Sequence, residues 1–84
     1  MDISEITSKN DAIEFLVEGV INVAETFSIR DKKLAREIIF YRVRRDFVRR
    51  VWKIDTVPYD NVVRSYLEFS GLPAEGLTTS GVTN

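Results

Sequence analysis

Arg42, Arg45, Arg49 and Lys53 recur at steps of three and four residues, with Arg50 beside them, so on a helix these cations fall on one side. Guanidinium and ammonium groups in such a row can bind carboxylates or phosphates. They belong to a larger segregation: ten of the chain's Lys and Arg lie between Arg30 and Lys53, opposed there only by Asp31, Glu37 and Asp46. The segments on either side are acidic, and the whole chain carries a net charge of −1. A cationic element inside a nearly neutral protein calls for an anionic surface, supplied by its own flanks, by a second copy, by another protein or by nucleic acid.

Other chemistries are poorly supplied. The chain has no histidine to act as a base near neutrality, no cysteine nucleophile and no glycine-rich phosphate loop, so it reads as non-enzymatic. The same two absences remove the imidazole and thiolate ligands of structural zinc, and neither a metal nor a cofactor is expected. Glu14 and Glu18 lie four residues apart, but nothing in the sequence surrounds them with apolar groups, and a solvated face is their simplest role.

Three uses of the basic stripe compete. It is a solvated helix face trimmed by Asp46, a surface for an acidic protein partner, or a phosphate-binding element for nucleic acid. Strong phosphate binders usually carry a positive total charge, and base-reading helices offer Asn, Gln, Ser or Thr beside Arg; residues 42–53 contain none of these. The preferred reading is a small regulatory or adaptor protein that meets an acidic protein surface through Arg42, Arg45, Arg49, Arg50 and Lys53. The alternative is a nucleic-acid-binding regulator contacting phosphates through the same residues.

The elements that position the stripe follow from apolar periodicity. Ser8 and Asp11 stand three apart, like a helix-capping pair, ahead of a segment whose apolar residues recur at helical spacing, which predicts a helix over about residues 9–27. Ala12, Ile13, Leu16, Val17, Val20, Val23, Ala24 and Phe27 project to one side, with Asp11, Glu14, Glu18, Asn22 and Glu25 opposite. Gly19, inside this helix, suggests close approach of a neighbour. Ser28 and Asp31 repeat the capping pattern, and no Gly or Pro follows until Pro58, which predicts a long central helix over about 29–54. Its apolar face is expected to carry Phe40, Tyr41, Val43, Phe47, Val48, Val51 and Ile54. Arg44 projects among these, snorkelling or paired with an acid.

Thr56, Pro58 and Gly71 bound a third helix over about 57–70, whose core stripe is Tyr59, Val62, Val63, Tyr66 and Leu67, with Asp60, Asn61, Arg64 and Glu68 turned away. The expected fold is therefore an all-α three-helix bundle with its longest helix in the middle. It forms a single domain over residues 1–73, followed by a disordered Gly, Ser and Thr-rich tail at 74–84.

The central helix has more apolar circumference than one neighbour covers, which raises the expectation of a homodimer. The acidic N-terminal residues and the lack of a long apolar run indicate no membrane segment, and a cytoplasmic location is expected.

Overall fold

A computed structural model describes residues 2–29 and 33–71, with backbone alone at residues 28 and 29. The fold is all-α, as expected, with three helices: α1 over Lys9–Ile29, α2 over Leu34–Trp52 and α3 over Val57–Ser70. A single 3-10 turn, Ile3–Glu5, precedes them, closed by Asp2 and Glu5 each bonding to the other's backbone region. That turn was not anticipated. It delivers Ile6 into the core.

Helix limits follow local chemistry. Ser8 Oγ accepts the Asp11 N–H at 3.1 Å, as the capping pattern predicts, while the Asp11 carboxylate turns outward to accept from the Thr7 N–H and hydroxyl. These Thr7 bonds hold the Asp11 carboxyl below the ordinary carboxylate range. α1 continues through Ser28 to Ile29, past the predicted stop, and α2 begins after Lys33. The two are therefore near-equal, at 21 and 19 residues. Residues 30–32, which include Asp31 of the expected second capping pair, and the predicted tail at 74–84 lie outside the described residues.

α2 ends at Trp52, two residues short of the predicted limit, and is closed by Lys53, whose φ of 55° places a non-glycine residue in the left-handed region. α3 begins after Thr56, with Pro58 in its first turn. The Asp55 carboxylate, not the Thr56 hydroxyl, accepts the Val57 N–H at 3.1 Å. Gly71, at φ 73°, closes α3 as predicted.

α1 is the packing centre. It lies against both α2 and α3, while the backbones of α2 and α3 approach each other less closely. Its buried arc is accordingly wider than one face: Phe15 and Thr26 join Ala12, Leu16 and Val23 inside, and the Thr26 hydroxyl is satisfied by the Asn22 carbonyl at 2.7 Å. Tyr41, Val48, Val63 and Leu67 complete the core from the other two helices. The Cα extents of 35 × 30 × 15 Å describe a flat arrangement.

Gly19 has the role its position suggested. A Cβ there would stand 2.7 Å from Arg44 Cδ and 3.2 Å from Tyr41 Cδ1, so glycine is what lets α2 lie this close to α1.

Candidate functional site

The roll of α2 about its own axis decides which side chains can meet a partner. The buried line runs Leu34, Ile38, Tyr41, Arg45 and Val48. Ile39, Phe40, Val43 and Val51 are instead 57, 50, 59 and 54% exposed. Relative to the projection made from sequence, α2 is turned by about 100°, the angle of one residue step. Phe40, Val43 and Val51 thus leave the predicted core, and Arg45 leaves the predicted outer stripe.

Arg45 tolerates its position because α3 turns an acid toward it. Asp60, expected to face away, is 1% exposed. Its Oδ1 accepts the Tyr41 hydroxyl at 2.6 Å, and its Oδ2 accepts Arg49 Nη2 at 3.0 Å and the Thr56 hydroxyl at 3.3 Å. Arg45 Nη1 stands 4.0 Å from the same oxygen, and Arg45 also donates to Asp46. Arg49 Nη2 further donates to Thr56 Oγ1 at 2.7 Å. Burial and the hydrogen bond to Asp60 push the Tyr41 hydroxyl well above the usual phenol range, so it stays protonated and donating. Asp60, Tyr41 and Thr56, with both arginines, form a polar clasp that ties α3 to α2 across the gap between their backbones.

Arg44 is engaged on the other flank. Its guanidinium donates to the Phe15 carbonyl at 2.6 Å, pairs with Glu18 at 3.3 Å and lies 4.4 Å over the Phe15 ring. This resolves the two options for Arg44 in favour of an ion pair, made with α1. Phe15 in turn meets Phe47 edge-on at 5.9 Å, which half-covers Phe47.

The five residues singled out from sequence therefore do not act as one group. Arg45 is buried, Arg49 is tied to Asp60 and Thr56 with its side chain half exposed, and Arg42 is half-buried. Arg50 and Lys53 are exposed. Sequence reasoning missed Arg36, which is exposed and belongs with Arg50 for a geometrical reason. Arg36, Phe40, Val43, Phe47 and Arg50 recur at alternating steps of four and three, the spacing of a helix–helix seam, with an arginine at each end. Among the described residues no carboxylate pairs with Arg36 or Arg50.

No group of acidic residues that would hold a metal ion occurs among the described residues, and no helix there is long and apolar enough to cross a membrane. Among the described residues, the fold and this face define three helices with an exposed, cation-ended seam that none of those residues covers. Comparison with protein-family models, with curated proteins and with solved structures finds no match.

Proposed function

We propose that this protein is a non-catalytic interaction module that docks an acidic protein surface on the outer face of α2. The observation that supports this reading most is the seam itself: Phe40 and Val43, each at least half exposed, and the half-buried Phe47 lie between the exposed cations Arg36 and Arg50, with the exposed Ile39 and Val51 at its edges and Lys53 beyond. A contiguous apolar strip of this kind on a small soluble domain marks an interaction surface. The cations supply orientation and choice of partner.

The internal engagement of Arg44, Arg45 and Arg49 favours a protein partner over nucleic acid. Each already faces a carboxylate of its own chain, which leaves fewer cations to follow a phosphate backbone. A photo-crosslinking side chain at position 43, compared with one at the exposed Ser65 of α3, tests the reading in the cell of origin. Protein adducts are expected from position 43 alone, and they should vanish when Arg36 and Arg50 are both changed to Glu. Nucleic-acid adducts, or equal adducts from both positions, would contradict it.

A further inference from the structure

Resting on that reading, we infer that the partner presents an amphipathic α-helix whose apolar stripe is edged by carboxylates, and that it lies along α2 as the second strand of a helix pair. The seam is straight and helical, so its complement is another helix and not a flat sheet or a loop. Phe40, Val43 and Phe47 occupy successive seam positions, with Ile39 and Val51 widening the strip on either side. Arg36 and Arg50 stand fourteen residues apart, about 21 Å along the axis. The occupying helix therefore spans four turns and carries Asp or Glu near both ends, with Leu, Ile, Phe or Met at intervals of three and four between them.

Charge selects this occupant over a second copy of the chain. On the outer face of α2 the exposed cations Arg36 and Arg50, with Lys53 beyond, set the sign of the charge, because Arg44, Arg45 and Arg49 are engaged by carboxylates of their own chain. Apposing two α2 faces brings surfaces of the same sign together, a repulsion that an acidic partner turns into attraction. Seating the α1 outer face of a neighbouring copy on α2 fits no better. Glu14 and Glu25 are exposed there, but among the described side chains of α1 Ile21 is the one exposed large apolar group, and Glu18 is paired with Arg44.

The test uses the full chain and two fluorescent helical peptides of about 18 residues. Both carry the same leucine stripe, one edged by glutamates and one by lysines. Fluorescence anisotropy at low salt is expected to show the glutamate peptide bound at least about tenfold more tightly than the lysine peptide, with the preference fading as salt rises. Arg36→Glu with Arg50→Glu should reverse the preference. Val43→Asp should abolish binding of both peptides, and circular dichroism should show its helix content unchanged, since Val43 is exposed.

No binding of either peptide, equal binding, or preference for lysine overturns the inference. So does a concentration-dependent dimer in light scattering that Val43→Asp disperses, because a second copy would then be the occupant. Protein crosslinks from position 43 without a charge preference between the peptides would sink this inference and leave the docking face standing; loss of both would sink the two together.

Discussion

Replacing Asp60 by asparagine should be among the most damaging single substitutions in this protein. The change removes the buried carboxylate charge that Arg45 and Arg49 share, leaving Arg45 with its more exposed partner Asp46, while keeping size and one acceptor oxygen for the Tyr41 hydroxyl. Asp60 is 1% exposed, and the Arg45 side chain facing it is 9% exposed, so this part of the pairing lies away from water. The Arg49 side chain is 51% exposed, so solvent compensates it in large part.

Removing one partner of a buried ion pair costs about 3–5 kcal/mol, and the retained acceptor together with the exposure of Arg49 places Asp60→Asn near the bottom, about 3 kcal/mol. At 84 residues the whole domain is stable by roughly 4–12 kcal/mol, so the loss is a large share of the total. It corresponds to a fall in melting temperature of about 12–24 °C, followed by far-ultraviolet circular dichroism. Urea titration of the same variant measures the free energy itself. In the Asp60→Asn background, Arg49→Met should then cost much less than it does alone, since its partner is already gone. A variant within about 0.5 kcal/mol of the parent would refute the clasp as a source of stability, because that is the range of an ordinary surface substitution.

Three further outcomes follow from local geometry. Gly19→Ala should destabilise by about 1–2 kcal/mol in urea despite alanine's better helix propensity, because the new methyl meets the anchored Tyr41 ring as well as Arg44; Arg44→Ala in the same chain should recover part of the loss. Lys53→Gly should stabilise by about 0.5–1 kcal/mol, read as a higher urea midpoint, since it relieves a left-handed backbone at a residue with a β-carbon, less glycine's own entropic penalty. Tyr41 keeps its proton in the folded state above the ordinary phenol value of 10.0, while the unfolded chain releases it there. Stability should therefore decline as pH rises past about 10, and urea midpoints at about pH 9 and 11 should differ less in Tyr41→Phe than in the parent.

Helix existence and most of the boundaries were legible, because they rest on local chemistry. Ser8 caps its own helix, Pro58 sits in a first turn and Gly71 takes the left-handed position, whatever surrounds them. The orientation of α2 was not legible, because its sequence contains two apolar arcs. One carries Leu34, Ile38, Tyr41, Val48 and Trp52; the other carries Ile39, Phe40, Val43, Phe47, Val51 and Ile54. Counting hydrophobicity favours the second arc. The structure buries the first, which has Arg45 in its midst.

The two misplacements are one event. Asp60 turned inward is what makes Arg45 turned inward tolerable, and neither residue reveals the other when each helix is projected alone. A usable signal was present in Tyr41, whose hydroxyl requires a partner once buried, and in an acid placed four residues after Thr56 at the start of α3. The candidate seam suffered the same ambiguity: Arg50 and Lys53 were identified, whereas Arg36 became visible only once the exposed arc was known.

The central claim is that a partner seats on the outer arc of α2 while the arginine and aspartate clasp stays closed beneath it. Methyl-resolved NMR of the isoleucine- and valine-labelled chain, titrated with the glutamate-edged helical peptide, reads both halves at once. The methyls of Ile39, Val43 and Val51 should shift progressively to saturation, with those of Val23, Val48 and Val63 in the core unmoved. Shifts centred on α1 or α3, or a spectrum that does not change, would contradict the account.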